Sequence, residues 1–208
     1  MRDEDGESMI ISVASGKGGT GKTLVATNLA LSLKDRDRVQ LLDCDVEEPN
    51  THPFLRPTYI GSEAVFIPVP KVDEDKCTEC GLCHELCRFN AITDFKVDPI
   101  SCEGCSFCSH VCPAEAITMK ENLSGHWFVS DTRYEPLIHA KLGIAQENSG
   151  KLVAQVRQQA RQLAEKDGVD CIISDGPPGI GCPVIPSLSE ASVALLVTEP
   201  TLSGIHDL

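Results

Sequence analysis

The sequence predicts an α/β fold in which a mostly parallel, doubly wound sheet is interrupted by a smaller α+β insert. Short apolar runs typical of buried parallel strands begin at Met9, Val39, Cys171 and Ala194, and helical patterns lie between them. Eight of the eleven cysteines fall instead within residues 73–121. This segment takes about 50 residues and leaves roughly 160 for the sheet, and both lengths suit a compact domain.

The first apolar run, residues 9–14, leads into a glycine-rich loop and then into a helical pattern over Lys22–Leu33. Glycines allow consecutive backbone N–H groups to turn toward a phosphate, Lys22 supplies a positive charge, and Thr23 offers a hydroxyl to Mg²⁺. The helix directs the positive end of its dipole at the same phosphates. The loop therefore predicts nucleotide binding by Gly16, Lys17, Gly18, Gly19, Thr20, Gly21, Lys22 and Thr23.

Two further apolar runs end in carboxylates. Residues 39–45 end in Asp43 and Asp45, which strand alternation would direct the same way at the carboxyl end of a strand. Open α/β sheets bind ligands at that end, so we expect this pair to face the ligand site. The second run ends in Asp175, just before a stretch rich in glycine and proline.

The cysteine-rich segment contains the spacing C-x2-C-x2-C-x3-C twice, at an offset of 25 residues, and residues 91–93 recur at 116–118. Three thiolates at i, i+3 and i+6 on a tight loop can hold three corners of one iron–sulfur cube. The fourth cysteine of each run can then reach the other cube. The two copies are Cys77, Cys80, Cys83 and Cys87, followed by Cys102, Cys105, Cys108 and Cys112.

Zinc and disulfides are the alternatives for these cysteines. Structural zinc is usually held by two separated cysteine pairs, not by a triplet with a remote fourth ligand. Disulfides need an oxidising compartment, and the N-terminal residues do not resemble a secretory signal, so we expect a cytoplasmic protein. The spacing therefore favours two 4Fe–4S clusters.

Residues 73–121 resemble a bacterial-type two-cluster ferredoxin. The resemblance implies crossed ligand sets for the two 4Fe–4S clusters. One set would be Cys77, Cys80, Cys83 and Cys112, and the other would be Cys102, Cys105, Cys108 and Cys87. Pro113 follows the last cysteine as the pattern expects, but Arg88 stands at the matching place in the first copy. We therefore expect a less rigid exit turn in the first copy.

The early lysine of the glycine-rich loop, Lys17, gives a form that resembles the deviant P-loop of the MinD/ParA family of ATPases. In that family, the extra lysine reaches the phosphates of a partner subunit when two ATP-loaded chains meet. The resemblance implies that Lys17, Asp45 and Asp43 are catalytic, with Asp45 orienting water and Asp43 near Mg²⁺ or Lys17. It also implies that Asp175 holds Mg²⁺ through water, so the implied Mg²⁺ residues are Thr23, Asp43 and Asp175.

The resemblance extends over nearly all of residues 9–208 and points to the MinD-like ATPases that carry an inserted ferredoxin domain. The expected domains are a disordered tail at 1–8, a first ATPase part at 9–62, a ferredoxin-like insert with flanking strands at 63–128 and a second ATPase part at 129–208. Residues 64–69 and 126–129 are strand-like and flank the insert, and an amphipathic helix is expected from Ser149 to about Lys166, with Gly168 as its stop. Residues 201–208 read as the start of a helix. We therefore expect the ATPase domain, with its adenine-contacting asparagine, to continue past this point.

Three cysteines lie outside the repeats. Cys44 and Cys171 stand in apolar runs and are expected to be buried packing residues. Cys182 follows Asp175 in the stretch rich in glycine and proline. The resemblance to the MinD/ParA family, some members of which place a cluster-bridging cysteine at a comparable point, would imply a second such cysteine in the same chain. No second candidate is apparent, so we expect Cys182 to be a buried structural thiol before Pro183.

These resemblances imply an ATPase that binds ATP and Mg²⁺ and forms a homodimer or a dimer with a related ATPase. The dimer would control electron transfer, or delivery of iron–sulfur clusters to a client protein. The alternatives are a non-hydrolysing cluster carrier and a positioning ATPase with structural clusters. The chain has no apolar stretch long enough to span a membrane and carries a formal net charge of −13. We therefore expect neither a membrane nor a nucleic-acid partner.

Overall fold

The structure, a computed structural model, describes residues 6–143 and 149–206 of the 208-residue chain. Most of the predicted disordered tail (residues 1–5) and the last two residues of the predicted C-terminal helix lie outside the described residues. The described chain forms two compact units. The first comprises residues 6–63, 126–141 and 149–206, and the second comprises residues 64–125 and 142–143. The prediction of a ferredoxin-like insert at 63–128 stays a prediction.

Seven strands of the described chain form one sheet in the order β3-β6-β7-β2-β8-β1-β9, and β4 pairs with β5 separately. The pairs β7–β2, β2–β8, β8–β1 and β1–β9 are all parallel, which confirms the predicted α/β fold with a mostly parallel sheet. The strands are β1 (Met9–Ser15), β2 (Val39–Asp43), β3 (Thr58–Val72), β4 (Ile92–Thr93), β5 (Lys96–Val97), β6 (Ile117–Asp131), β7 (Leu137–Leu142), β8 (Cys171–Pro178) and β9 (Val193–Leu196).

Two long helices flank the sheet, and the predictions for both are confirmed. The first begins at Lys22 and ends at Leu33, and the second ends at Asp167, just before Gly168 takes a φ of +67° that stops it. The helices are α1 (Lys22–Leu33), α2 (His52–Leu55), α3 (Leu82–Glu85), α4 (Phe107–Val111), α5 (Ser149–Asp167), α6 (Val184–Leu188) and α7 (Leu202–His206). No helix in the described ranges is long and apolar enough to cross a membrane.

The core of the first unit lies between the parallel strands and α1. Val13, Leu41 and Ile173, from three neighbouring strands, are completely buried, and Ala26 of α1 packs in the same cluster. The register pairs both Val13 and Asp43 with Asp175. The sheet therefore brings the carboxyl ends of β1, β2 and β8 to one edge, where the candidate site lies.

The second unit carries the cysteine repeats on short elements. Its small core joins Ile92 and Ile117 to Cys83. Gly81 and Ser106, which are 25 residues apart, both take left-handed backbone conformations, with φ of +79° and +63°, just before α3 and α4. The sequence repeat is therefore also a repeat of backbone conformation.

Three expectations about local structure are wrong. β2 ends at Asp43, before Asp45, because the chain leaves the sheet there to form a turned loop. β3 and β6 are fifteen residues long, whereas only 64–69 and 126–129 were predicted. The first seven residues of β3 are exposed, so they lack the apolar pattern by which strands are recognised. Cys182 is exposed because it lies in the loop before α6, while Cys44 and Cys171 are buried as predicted.

Candidate functional site

The glycine-rich loop joins β1 to α1 and leaves the first turn of that helix open to an anion. Gly19 and Gly21 have φ of +81° and +91°, a region that glycine enters without a steric penalty. Gly21 caps α1 without a side-chain hydrogen bond, and the first turn contains no acidic residue. The N–H groups at this helix start are therefore available to phosphate oxygens, and the buried Lys22 stands among them.

Asp175, which lies within β8 in register with Asp43 at the end of β2, has the features expected of a residue beside a cation. It is only 2% exposed and accepts a hydrogen bond from the Thr23 hydroxyl. Its Oδ1 has no hydrogen-bond partner within the described residues. Burial raises the pKa of Asp175 to about 6, although Thr23 and Lys22 both lower it. A buried carboxylate oxygen without a partner suits a divalent cation, so Thr23 and Asp175 fit Mg²⁺.

Asp43 is fully buried, and both of its carboxylate oxygens already accept hydrogen bonds. The Asp45 N–H donates to Oδ1 at 3.0 Å. The N–H groups of Asn50 and Thr51 and the Thr51 hydroxyl donate to Oδ2 at 3.1, 3.2 and 2.9 Å. Burial and the nearby Asp175 raise the pKa of Asp43 to about 7. These contacts suit a residue that holds the loop after β2, and its predicted role toward Mg²⁺ stays a prediction.

Asp45 lies in that loop and is half-buried. Burial raises its pKa, while the Glu48 N–H and the charge of Lys22 lower it. β2 ends before Asp45, so the strand alternation that was expected to direct it the same way as Asp43 does not apply. A cavity of about 130 Å³ opens at this point, lined by Asp45, Val46, Glu47, Glu48, Ser149, Pro177, Pro178 and Pro183.

Lys17 makes a contact that the sequence did not predict. Its ammonium lies 3.0 Å from Oε2 of Glu199, which follows β9. Glu199 could have been noticed as an acidic residue just after an apolar strand, at the sheet edge where α/β proteins bind ligands. Thr51, which holds Asp43, carries no comparable signal because it lies in a loop with no strand pattern.

The eight cysteines of the second unit line two cavities, and Cys83 lines both of them. A cavity of about 350 Å³ is lined by Cys83, Cys87, Cys102, Cys105 and Cys108. A cavity of about 20 Å³ is lined by Cys77, Cys80, Cys83 and Cys112. Each cavity thus contains three cysteines of one repeat and the last cysteine of the other, and the larger cavity contains Cys83 in addition.

The electrostatics of the thiols agree with this sorting. Burial raises the pKa of Cys83. The nearby thiols of Cys77 and Cys112 raise it further. Burial likewise raises the pKa of Cys108 to about 11, with additions from Cys102 and Cys105. Cys83 therefore interacts with Cys112 of the other repeat, whereas the contributions to Cys108 come from its own repeat.

The backbone around the thiols offers weak hydrogen-bond donors. Backbone N–H groups of Gly104 and Ala116 donate to the sulfurs of Cys102 and Cys112, both at 3.4 Å, as is common for iron–sulfur ligands. In residues 6–143 and 149–206, no three histidine, cysteine or acidic side chains come close enough together to hold one metal ion. All eleven cysteines are free thiols.

Charged side chains distinguish the two cavities. Arg88 and Glu103 line the larger one, and the smaller one has no charged lining residue in the described chain. Arg88 stands where the repeat would place the counterpart of Pro113. The departure from the ferredoxin pattern therefore puts a cation beside the set of Cys87, Cys102, Cys105 and Cys108.

Comparisons with known proteins agree with the phosphate-loop half of this description. Residues 11–199 match the model of the CobQ/CobB/MinD/ParA nucleotide binding domain. An uncharacterized protein of Methanocaldococcus jannaschii is 36% identical over 200 residues, which are 96% of this chain and 70% of that protein. The iron-sulfur cluster carrier protein of Deinococcus radiodurans is 54% identical over 51 residues, which are 24% of this chain and 15% of that protein.

A solved structure shows the same fold. The septum site-determining protein MinD of Pyrococcus horikoshii, complexed with Mg-ADP, matches with a TM-score of 0.50 and 20% sequence identity. The match covers 96% of this chain and 61% of that one, so this chain spans about three-fifths of the solved protein. The shared feature is the α/β fold with its mostly parallel central sheet.

Proposed function

The chain belongs to the CobQ/CobB/MinD/ParA nucleotide-binding family, and on that premise we propose that it hydrolyses ATP and couples ATP-dependent dimerisation to its cysteine-bound clusters. The dimer, with a second copy or a related ATPase, would gate electron transfer or the delivery of iron–sulfur clusters to a client. Such coupling needs a nucleotide site and a cluster site in one chain, and the residues of both are present.

In this proposal, the residues at the carboxyl edge of the sheet divide the work on ATP. The N–H groups at the start of α1 and Lys22 bind the phosphates, and Thr23 and Asp175 hold Mg²⁺. Asp45 orients the attacking water, while Asp43 keeps the loop that carries Asp45 in place. Lys17 acts on the phosphates of the partner's nucleotide.

The presence of Cys87 beside Cys102, Cys105 and Cys108, and of Cys112 beside Cys77, Cys80 and Cys83, is the observation that supports the cluster half of the proposal. Each set offers four thiolates, which is the ligand set of a 4Fe–4S cluster. When bound, these clusters would supply one-electron redox chemistry. The 51-residue similarity to an iron-sulfur cluster carrier protein supports delivery as the alternative to electron transfer.

Metal analysis of anaerobically reconstituted protein tests the cluster half. We expect about eight irons and eight acid-labile sulfides per chain, because each cube takes four of each. One or two zinc ions without sulfide, in protein reconstituted under reducing conditions, would contradict two clusters. Cys182→Ser is the matched control, because it removes an exposed thiol outside both sets and should leave the iron content unchanged.

Anaerobic redox kinetics test the coupling. We expect ATP to change the rate at which the reduced protein passes electrons to a dye, or clusters to an apo-ferredoxin, and ADP to have less effect. The comparison of dye with apo-ferredoxin separates electron transfer from delivery. Lys17→Ala should bind ATP and lose the effect. Equal rates with ATP, with ADP and without nucleotide would indicate a passive cluster carrier.

A further inference from the structure

The ion pair between Lys17 and Glu199 lies at the proposed nucleotide site and is partly open to solvent. Lys17 Nζ lies 3.0 Å from Glu199 Oε2. The side chain of Lys17 is 32% exposed and that of Glu199 is 42% exposed. Ion pairs exposed to this degree contribute little to folding stability. The pair nonetheless holds the ammonium that distinguishes this glycine-rich loop from an ordinary one.

The backbone that carries Glu199 is fixed by its surroundings. The Thr201 N–H donates to the Glu199 carbonyl at 2.8 Å, and the Thr198 hydroxyl donates to the Gly204 carbonyl at 2.8 Å. A Cβ at Gly204 would lie only 2.4 Å from the Glu199 carbonyl oxygen, so this close approach requires glycine. The turn therefore fixes the backbone position of Glu199, and the Glu199 side chain reaches Lys17 from that position.

We propose that Glu199 is a positioning residue that restrains Lys17 within its own chain until a nucleoside triphosphate displaces the carboxylate. The inference rests on the proposed function, because it assumes that Lys17 acts on nucleotide phosphates. A carboxylate and a phosphate compete for one ammonium, and the more highly charged phosphate group is the stronger competitor. Phosphates bound on the loop also repel the Glu199 carboxylate. Lys17 is thereby released for the partner's nucleotide more readily in a loaded chain than in an empty one.

This arrangement would help the chain to distinguish ATP from ADP. A triphosphate offers Lys17 a new anionic partner in exchange for Glu199, whereas a diphosphate brings less charge to the same place. Without Glu199, Lys17 is free in every state, so dimerisation should depend less on which nucleotide is bound. The expected effect is modest, about two- to fivefold, because exposed ion pairs are weak.

Chemical labelling of lysine amines in the nucleotide-free chain tests the restraint without relying on nucleotide binding. Glu199→Gln should raise the labelling rate of Lys17, read by peptide mass spectrometry, by about two- to fivefold with no change in melting temperature. Glu190→Gln is the matched control, because it removes an exposed glutamate that pairs with Arg161 instead. Equal Lys17 labelling in wild type and Glu199→Gln would overturn the proposal.

Light scattering with ADP and ATP tests the displacement. In wild type, we expect ATP to produce more dimer than ADP and to change Lys17 labelling more than ADP does. In Glu199→Gln, the difference in dimer between the two nucleotides should shrink. An unchanged difference would overturn the role of Glu199 in selectivity. If no variant binds or dimerises with either nucleotide, the proposed function fails, while the labelling still reports whether Glu199 restrains Lys17.

Discussion

The phosphate-loop edge of the first unit and the cysteine cavities of the second unit differ in what holds their geometry. At the phosphate-loop edge, protein groups already pair with one another: Lys17 with Glu199, and Asp43 with four donors. In the cavities, the polar contacts made by the described cysteine sulfurs are weak N–H···S bonds, as at Cys102 and Cys112. A nucleotide would therefore meet a formed site, whereas the clusters would help to form theirs.

The largest effect expected from this difference is the response to metal removal. Stripping iron with a chelator should abolish hydrogen-exchange protection in residues 73–121, because bound metal supplies the folding free energy of small metal-dependent units. Protection in β1 and β8 should stay within experimental error, because their core contains no cysteine repeat. The measurement is native-state hydrogen exchange of the iron-loaded protein and of the protein stripped of iron. Loss of protection in both units together would show that the two sites are not independent.

The crossed ligand sets give the next largest effect, which is the loss of one cluster out of two. Cys87→Ser should damage the cluster held by Cys102, Cys105 and Cys108, because Cys87 lines that cavity. Electron paramagnetic resonance should show the same perturbed signal for Cys87→Ser and Cys105→Ser. Matching perturbation of Cys87→Ser and Cys80→Ser would mean that each repeat closes its own cube.

At the phosphate-loop edge, the two lysines should separate binding from turnover. Lys22→Ala should weaken nucleotide binding about ten- to a hundredfold, because a charge-assisted hydrogen bond contributes about 1.5–3 kcal/mol. Lys17→Ala should leave nucleotide affinity nearly intact and abolish hydrolysis and ATP-dependent dimerisation. Calorimetry and a phosphate-release assay make the comparison. Equal loss of affinity in both variants would reduce Lys17 to an ordinary loop lysine.

Much of the fold follows from local patterns that the sequence shows directly. The strand before the phosphate loop and the helix after it are predicted because buried parallel strands are continuous apolar runs and the loop pattern sets the helix start. β3 is largely missed because its first seven residues are exposed and carry no alternation. The end of β2 is misplaced by two residues because Cys44 is apolar and buried, although it already lies outside the strand.

The candidate site is predictable only where a motif fixes the residue. The resemblance to a two-cluster ferredoxin implies both crossed sets, and the cavities place the last cysteine of each repeat beside three cysteines of the other, with Cys83 lining both cavities. Contacts between distant loops leave no such trace. Neither the four donors on Asp43 nor the ion pair of Lys17 with Glu199 has a spacing signature, because each depends on how the chain returns to the sheet edge.

The charged residues that line the larger cavity should change the ratio of reduced to oxidised cluster in that cavity by about tenfold. A positive charge stabilises the more negative, reduced state, so Arg88→Gln should lower the reduction potential by up to about 59 mV for one electron. Glu103→Gln should shift the potential in the opposite direction, and Arg88→Lys should largely preserve it. The cluster of the smaller cavity is the internal control in one redox titration. Equal shifts at both clusters would contradict a local effect of Arg88.

The smallest expected effect concerns a buried carboxylate of the first unit that lies away from the phosphate loop. Glu135, in the turn before β7, is only 4% exposed, and neither of its carboxylate oxygens has a hydrogen-bond partner in the part of the chain that the structure describes. Burial raises its pKa from 4.5 to about 7, although the nearby charge of Lys34 lowers it. Unlike Asp175, Glu135 has no predicted cation to satisfy it.

The sign of the pH dependence follows from this shift. Between pH 4.5 and about 7, the folded chain keeps a proton that the unfolded chain releases, so the free energy of unfolding falls as pH rises through this window. Glu135→Gln removes this fall in the free energy of unfolding. At pH 8 the variant should therefore be more stable than wild type by about 1 kcal/mol, which is less than the full linkage value. Near pH 4.5 the two should be alike. Urea unfolding of the metal-loaded chain at both pH values measures the difference, with the exposed Glu190→Gln as control. A difference between Glu135→Gln and wild type that stays constant with pH would show that Glu135 is ionised in the folded protein.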